Sequence, residues 1–538
     1  MAALLAALYL IVAVHGLGVA DIVGDDEARE AGIVQDILRG HWLLPRFNQD
    51  LIPDKPILYH WLAAAVCLPA GFSPFAARLP AALAGAGLVW WTARLGALTF
   101  GAPAGLASGL MLATTPALFT HARVARPDTL LVLLLSMALG FAFRWWHHDR
   151  RTDATLALAL VGASVLAKGP VGPVLFGITL TGFLAWQREL RRLRAFLTPA
   201  GIAAFVVLAV AWYAVTWAGW GDEFVRQHLV GRYLRNLAGG LVQGGSYSPK
   251  PLRYHVTFYL MHLPAVALPW TPLIAVAMWQ LARSGGLRDP RARFLLCWAA
   301  APLIAFTPAE YKLRYYLLPS LPAAALLAGP TLAALPWRPG ARGPNLARGA
   351  AALALAAIAI AAAWVVLERP AWLSTSDRRT MAALLDAFPG GWPGLTAVLG
   401  FVVGMAMVAI AVAAWRMLAA CVAVAMAVAM GVVVPALERA TSASDSFAIF
   451  AATVAARVPS SERLVFYGDV VRPVVVALGR DVPPIPRGAP IPEGVSVIVG
   501  EADYRALVAK AALGPPRAIG EGRTGNLARG RLVLAEAP

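Results

Sequence analysis

Acidic side chains stand next to apolar segments at two separate places in the sequence. Asp25, Asp26 and Glu27 follow the first apolar segment, and Asp128 begins another. An ionisable group at a membrane segment is costly and is therefore a functional candidate by default. Acids at a helix start can also serve only as caps, because the N–H groups there are unsatisfied. Both interpretations are open for each acid.

Basic side chains accompany these acids in the short turns between apolar segments. Lys168 precedes a Gly-Pro turn, and Lys312 and Arg314 lie on either side of Leu313. Binding of phosphate requires charge-assisted donors, so the turns predict a site for an anionic headgroup. Acids and bases at one depth of a membrane indicate a reaction centre more than an anchor.

The elements that must position these residues are mostly apolar. The chain has 538 residues, of which 59% are hydrophobic and 14% are charged, whereas a soluble domain is about 25% charged. This composition predicts a polytopic membrane protein and excludes intrinsic disorder. The three cysteines are widely spaced, which excludes a disulfide-stapled secreted scaffold.

Apolar stretches long enough to cross a bilayer as helices occur at about thirteen places. They lie near residues 3–20, 77–97, 103–122, 127–146, 154–168, 170–186, 199–218, 257–281, 294–309, 313–333, 349–367, 394–414 and 417–437. The shorter stretch 57–71 predicts an interfacial helix. The first stretch could instead be a signal peptide, although it lacks the positive amino-terminal region of one.

Arginine-rich connections give the orientation of these helices. With the amino terminus in the cytoplasm, almost every inner loop is basic, which is the positive-inside pattern. This explains most of the net charge of +17, and nucleic-acid binding is not expected because no basic-aromatic module accompanies it. The predicted membrane domain covers residues 1–437, with outer loops at 21–76 and 219–256. Alternating strand and helix signals predict a periplasmic α/β domain over 438–538.

Six separated motifs resemble those of the aminoarabinose transferases of lipid A, within the superfamily of protein O-mannosyltransferases. The motifs are Asp26-Glu27-Ala28-Arg29, Gly40–Asn48, Asp54–Trp61, Arg78–Leu83, Lys168-Gly169-Pro170 and Lys312–Pro319. They occur in order over roughly the first 330 residues. The resemblance implies an all-α polytopic GT-C fold in a bacterial inner membrane. It also implies an outward-facing cavity that takes a sugar from a polyprenyl-phosphate carrier, such as undecaprenyl phosphate.

The resemblance further implies the roles of individual residues. Asp26 is similar to the family's first-loop catalytic acid, and Asp128 to its second essential acid. The residues expected to bind the carrier phosphate or to line the cavity are Glu27, Arg46, Lys55, Tyr59, Lys168, Lys312, Arg314 and Tyr316. Asp54 occupies a position implicated in metal binding in the family. With it, the resemblance implies a divalent-cation site formed by Asp54, His228 and His255.

The resulting hypothesis is an inverting glycosyl transfer to an envelope acceptor, either lipid A or another glycolipid. Asp26 would accept the proton of the acceptor hydroxyl, a role worth about 10²–10⁴-fold in rate. Neighbouring cations would stabilise the charge that develops on the leaving phosphate. A monomer is expected, in contact with membrane lipids.

Three other functions remain open: a protein O-mannosyltransferase, a lipid or solute transporter, and a structural assembly subunit. A transporter usually has repeated halves with interrupted helices near the midplane, and the sequence shows neither.

Overall fold

The computed structural model describes residues 1–48, 53, 55–228, 252–309, 312–334, 415–524 and 528–538. Most of these residues are helical. The helices up to residue 224 are α1 (Ala2–Val14), α2 (Asp25–Leu38), α3 (Leu58–Cys67), α4 (Pro74–Phe100), α5 (Ala102–Ala113), α6 (Pro116–His121), α7 (Asp128–His148), α8 (Arg151–Lys168), α9 (Val171–Trp186), α10 (Leu193–Phe196), α11 (Pro199–Trp220) and α12 (Asp222–Phe224).

The helices from residue 252 onward continue the series. They are α13 (Leu252–Val266), α14 (Thr271–Arg283), α15 (Pro290–Phe306), α16 (Leu321–Ala334), α17 (Trp415–Val428), α18 (Val434–Asp445), α19 (Ala448–Arg457), α20 (Arg472–Leu478) and α21 (Glu501–Val508). Short 3-10 helices cover Leu190–Arg192, Gly286–Arg288 and Arg314–Ser320, and a π-turn covers Ala429–Val433.

Several of these helices are long and apolar enough to cross a membrane. Within the described ranges they are Pro74–Phe100, Asp128–His148, Pro199–Trp220, Arg314–Ala334 and Val422–Ser442. Thr257–Val266 and Thr271–Arg283 form a further candidate that is bent by 111°, where a single span is predicted. The multi-pass membrane character is thus confirmed.

The number of spans is still a prediction. The stretches 349–367 and 394–414 lie outside the described residues, and α1, α5 and α9 are shorter apolar helices. The predicted interfacial helix corresponds to α3, at Leu58–Cys67.

Local sequence fixes the ends of α4, the helix that links the first loop to the bundle. The Ser73 hydroxyl accepts a hydrogen bond from the Ala76 N–H at 3.2 Å, and Pro74 occupies the first helical position, which suits its fixed φ. At the other end, α4 packs tightly on α5. A Cβ on Gly105 would lie 2.3 Å from the backbone nitrogen of Ala97, so only glycine allows the two backbones to approach so closely.

The carboxy-terminal part contains a five-stranded sheet with the strand order β2-β1-β3-β5-β4. The strands are β1 (Leu464–Tyr467), β2 (Pro484–Ile485), β3 (Ser496–Gly500), β4 (Ala518–Thr524) and β5 (Ala528–Glu536). Strand β1 is parallel to β2 and β3, with Phe466 opposite Ile498. Strand β5 is antiparallel to β3 and β4.

The sheet region does not stand apart from the first loop. Apolar residues of α2, such as Val34 and Ile37, belong to the same buried cluster as Val474 of α20 and Ile498 of β3. Helix α18 also runs through the predicted boundary between residues 437 and 438. The division into two domains, with the second in the periplasm, remains a prediction.

Polar contacts reinforce this junction, which we call the α2 latch: Asp21, Asp25, Gln35, Arg39 and Asn48 with their partners at residues 442–482. The Asn48 amide donates to the carbonyl of Val482 at 2.8 Å and accepts from its N–H at 2.6 Å. Asp25 is ion-paired with Arg472. The latch therefore fixes the helix that carries Asp26.

Candidate functional site

Asp128 is held between two cations at the start of α7. Lys168 Nζ is hydrogen-bonded to its Oδ1, and Arg126 Nε lies 3.3 Å from its Oδ2. The side chain of Asp128 is only 4% exposed. Helix α8 ends at Lys168, and Gly169 with φ 70° turns the chain into α9, which brings the ammonium group to the start of α7. Two opposite charges offset the cost of burying the carboxylate.

Two tyrosines of the turn Arg314–Ser320 cover these cations. The Arg126 guanidinium donates to the Tyr315 hydroxyl at 2.6 Å and lies 4.7 Å from the centre of its ring. Lys168 Nζ lies 5.4 Å from the Tyr315 ring and 5.8 Å from the Tyr316 ring. The negative faces of the rings add to the stabilisation of both cations.

Asp26 lies at the edge of this arrangement. Its Oδ2 is 3.6 Å from Arg126 Nη2, and its side chain is 47% exposed. It belongs to the first turn of α2, which begins after Gly24 and where a negative charge is favoured by the helix dipole. Asp26 is therefore an open carboxylate, in contrast to the enclosed Asp128.

We call Asp26, Arg126, Asp128, Lys168, Tyr315 and Tyr316 the carboxylate cluster. A small cavity adjoins it, lined on one side by Asp128, Lys168, Tyr315 and Tyr316. The remaining walls are apolar and include Leu131, Val171 and Phe306. One accessible acid, two cations and an apolar lining suit the transfer of a group from an amphipathic anionic molecule.

Glu27 has a different setting from its neighbour Asp26. Arg78 donates to both of its carboxylate oxygens, at 2.8 and 3.2 Å, and the N–H of Ala125 donates to Oε1 at 2.9 Å. Arg78 also donates to the carbonyls of Leu17 and Ala20. Glu27 was predicted to bind substrate. In the structure, its contacts with Arg78 and Ala125 hold α2 against the segment that carries Arg126.

Lys55 is engaged in a buried group on the inner side of α2. It is ion-paired with Glu30, and His60 Nε2 donates to the other carboxylate oxygen at 2.7 Å. Burial alone would raise the pKa of Glu30, but Lys55 and His60 outweigh it and hold that pKa below its ordinary value of 4.5. The predicted phosphate ligand Lys55 thus already has an internal anionic partner.

Tyr59 is likewise buried, and its hydroxyl donates to the carbonyl of Ala77 at 2.9 Å. Burial raises the pKa of Tyr59 well above its ordinary value, and the nearby carboxylates of Glu27 and Glu30 add to the rise. Tyr59 joins α3 to α4 inside the protein, and it does not line the cavity at the carboxylate cluster.

Arg46 lies in another part of the first loop. Its Nη2 is 3.1 Å from a carboxylate oxygen of Glu223, and its guanidinium lies 5.6 Å from the Trp220 ring. The carboxylate of Asp36 accepts from the Arg46 N–H at 2.8 Å. Arg46 therefore ties the first loop to the end of α11.

The two remaining predicted cations lie near the tyrosine turn. Lys312 is buried, donates to the carbonyls of Phe306 and Thr307, and lies 5.1 Å from the Tyr259 ring. Arg314 is exposed, and none of the described residues holds its guanidinium in a hydrogen bond or an ion pair. Arg314 is thus a cation that a bound anion could reach without displacing a partner among the described residues.

The predicted metal ligands are only partly described. Asp54 lies outside the described residues. His228 donates from Nδ1 to the carbonyl of Pro53 at 2.8 Å, and metal-binding histidines typically hold one ring nitrogen in such a hydrogen bond while the other binds the metal. His255 is buried. Among the residues that the structure describes, no three His, Cys, Asp or Glu side chains form a group that could hold a metal ion.

Two members of the carboxylate cluster, Arg126 and Tyr315, were not singled out from the sequence. Arg126 stands two residues before Asp128, and Tyr315 stands between the predicted Arg314 and Tyr316. An arginine so close to an intramembrane acid was the available signal, because such an acid requires a partner. The sequence gives no comparable signal for the pairing of Tyr315 with Arg126.

Comparisons with known proteins agree with the predicted resemblance. Residues 54–217 match the family model described as dolichyl-phosphate-mannose-protein mannosyltransferase. The chain is 28% identical over 332 residues to undecaprenyl phosphate-alpha-4-amino-4-deoxy-L-arabinose arabinosyl transferase 1 of Pseudomonas fluorescens. This match covers 60% of this chain and 56% of that protein. It is 29% identical to the Pseudomonas aeruginosa transferase of the same kind, over 66% of this chain and 63% of that protein. The chain thus matches little more than half the length of such relatives.

A solved structure is similar over nearly the whole chain. The crystal structure of ArnT from Cupriavidus metallidurans bound to undecaprenyl phosphate superposes with a TM-score of 0.77 at 21% identity. The match covers 99% of this chain and 97% of that one. The predicted resemblance to aminoarabinose transferases and the GT-C membrane fold are thereby confirmed.

Proposed function

We propose that this protein is a membrane glycosyltransferase that moves a sugar from a polyprenyl-phosphate carrier to an acceptor in the cell envelope. The observation that carries the proposal is the carboxylate cluster, which joins an open acid to two buried cations. Arg126 contacts both Asp26 and Asp128, at 3.6 and 3.3 Å. Residues that are distant in sequence thus meet within one site of a GT-C fold.

Asp26 acts as the general base in this proposal. Its exposed carboxylate takes the proton of an acceptor hydroxyl while the oxygen of that hydroxyl bonds to the anomeric carbon of the sugar. The bond between that carbon and the carrier phosphate breaks, and its electron pair stays on the phosphate. Attack opposite the leaving group inverts the anomeric carbon.

Lys168 and Arg126 stabilise the negative charge that develops on the leaving phosphate. Asp128 does not accept a proton in this scheme, because both of its oxygens face cations. It instead positions the two cations, while Tyr316 borders the path of the sugar. Arg314 supplies a further charge at the exposed end of the turn, where the carrier phosphate arrives.

Lipid A or another glycolipid is the proposed acceptor, and an undecaprenyl phosphate-linked sugar the proposed donor. The names of the relatives from Pseudomonas support this donor. We place the protein in a bacterial inner membrane with the carboxylate cluster on the periplasmic side, as its basic inner loops favour, and we propose that it acts as a monomer.

The test uses the full chain reconstituted in liposomes with an undecaprenyl phosphate-linked aminoarabinose donor and lipid A. Mass spectrometry measures the modified acceptor. We expect Asp26→Asn to lower turnover by about 10²-fold or more and to leave the binding of undecaprenyl phosphate unchanged. Asp149→Asn is the control, because Asp149 is an exposed acid at the opposite end of α7 from the cluster; it should keep its turnover. Substantial turnover by Asp26→Asn would remove Asp26 from the role of base.

A protein acceptor is the second candidate, and the family model that matches residues 54–217 favours it. Mass spectrometry of envelope lipids and proteins, with and without the protein, separates the two candidates. A sugar that disappears from proteins while lipid A is unchanged would favour O-glycosylation of proteins.

A divalent cation held by Asp54, His228 and His255 is a further proposal, and no step above depends on it. The metal content of purified protein, measured by inductively coupled plasma mass spectrometry, tests this site. About one equivalent of a divalent metal is expected, and it should be lost in His228→Ala. Equal metal content in both proteins would contradict the proposal.

A further inference from the structure

A second polar cavity lies at the opposite end of α7 from the carboxylate cluster. Helix α7 has 21 residues, so its two ends are about 30 Å apart. The cavity has a volume of about 480 Å³ and lies between the ends of α4 and α7 and the start of α15. That volume is in the range of ligand pockets, about 300–1,000 Å³. Nothing in the proposed reaction uses it.

The cavity is rich in positive charge. It is lined by Arg94, Arg144, His147, His148, Asp289 and Arg291, which we call the arginine cavity. Asp289 is the only acid among these lining residues, and it is paired with Arg291 at 2.8 Å. Arg144 lies 3.3 Å from Asp153, which does not itself line the cavity. Arg94 is exposed and has no acidic partner in the described part of the chain.

Aromatic side chains orient two of these guanidinium groups. Arg144 lies 5.2 Å from the centre of the Phe141 ring, and Arg291 lies 5.3 Å from that of Phe100. Arg291 donates from Nη1 to the carbonyl of Thr99 at 3.0 Å and from Nε to Asp289, so the second N–H of each of its terminal nitrogens remains for a ligand. The arrangement is therefore suited to bind a phosphate with several charge-assisted hydrogen bonds.

The other walls of the cavity indicate what carries that phosphate. Phe143, Trp146 and Leu98 line the same cavity, and Leu98 is 54% exposed. An apolar wall offers a free anion no favourable contact, whereas a phospholipid presents a charged headgroup together with apolar chains. Basic pockets between the ends of membrane helices are known to suit anionic lipid headgroups.

We propose that the arginine cavity binds the headgroup phosphate of an anionic phospholipid. Arg94 supplies the unpaired charge, Arg144 and Arg291 supply oriented donors, and the chains lie along Leu98 and Phe143. The site is separate from the carboxylate cluster by the length of α7. The proposal does not depend on the proposed transfer reaction.

Native mass spectrometry of the delipidated full-length protein in a neutral detergent tests this site. The added lipids are phosphatidylglycerol, which is anionic, and phosphatidylcholine, which carries a phosphate but no net charge. We expect selective retention of about one phosphatidylglycerol. Arg94→Gln should lower this retention at least about tenfold, because it removes a charge-assisted contact, and Arg94→Lys should restore part of it.

Arg283→Gln is the matched control. Arg283 is also exposed and lies 4.8 Å from an aromatic ring, that of Trp279, but it is outside the arginine cavity. Retention in this variant should equal that of the unmodified protein. An equal loss in Arg283→Gln and Arg94→Gln would overturn the proposal, because the lipid would then follow general surface charge.

Inorganic phosphate distinguishes the two possible sources of the anion. At millimolar concentration it should not displace phosphatidylglycerol, since it lacks the chains that contact the apolar walls. Full displacement by inorganic phosphate, or equal retention of phosphatidylcholine, would refute a lipid site. Thermal unfolding of each variant confirms that the compared proteins are folded.

Discussion

The pair Arg78–Glu27 gives the sharpest prediction about how the site is built. Arg78→Met removes two hydrogen bonds from the Glu27 carboxylate, which then keeps, among the described residues, only the N–H of Ala125. The side chains of Arg78 and Glu27 are 5% and 8% exposed, so solvent cannot replace the lost partner. Breaking such a buried pair costs about 3–5 kcal/mol of unfolding free energy.

A double-mutant cycle isolates the interaction between the two residues. The variants are Arg78→Met, Glu27→Gln and their combination, and the measurement is unfolding by sodium dodecyl sulfate in mixed micelles. We expect the double variant to lose about 1–3 kcal/mol less than the sum of the single losses. Arg39→Gln is the control, since the pair of Arg39 with Asp481 is partly exposed and such pairs are worth about 0–1 kcal/mol.

The same variants decide whether Glu27 binds substrate. If Glu27 only positions α2, its substitution should lower kcat because Asp26 is displaced. The kcat should then recover when the assay temperature is reduced. Additive stability losses would refute the structural account. So would a Glu27→Gln protein of normal stability whose only defect is a raised KM for the donor.

Three further predictions concern other parts of the first loop and its neighbours. Because the folded-state pKa of Glu30 is below its ordinary value of 4.5, its stabilising contribution is complete above that pH and is lost as the pH falls further; Lys55→Met should flatten this acid dependence of unfolding. Arg314→Gln should raise the KM for the donor with little change in kcat, because its exposed guanidinium is proposed to meet the carrier phosphate; a normal KM would exclude that role. Asn48→Ala removes two buried hydrogen bonds of the α2 latch and should cost about 1–3 kcal/mol, seen as faster proteolysis between residues 457 and 482; unchanged proteolysis would show that the apolar junction suffices.

Sequence patterns predicted the elements of the site better than their pairings. The apolar run after Asp128 and the Gly-Pro turn after Lys168 both mark helix ends, and these ends meet as a membrane hairpin requires. Asp26 could be placed near them only through the resemblance. Its distance to Arg126 depends on how the first loop folds back, which no local pattern encodes.

Lys55 illustrates what local patterns could not give. Its partner Glu30 lies 25 residues earlier, one turn after Asp26 in α2, where an acid looks like part of a solvated face. Only the tertiary structure brings the two together. Strand β1 has the continuous apolar run typical of a buried strand. Glycine and charged residues interrupt the pattern of β4 (Ala518–Thr524), so no local pattern indicates that strand.

The α2 latch also has a consequence for biosynthesis. The bond between Asn48 and Val482 joins residues 434 positions apart. At the usual pace of a ribosome, Val482 is added roughly 20–90 seconds after Asn48. During that interval the apolar face of α2 lacks the partner that later covers it. A holdase that binds exposed apolar helices would therefore improve the yield of folded protein most strongly in cells that translate this message slowly.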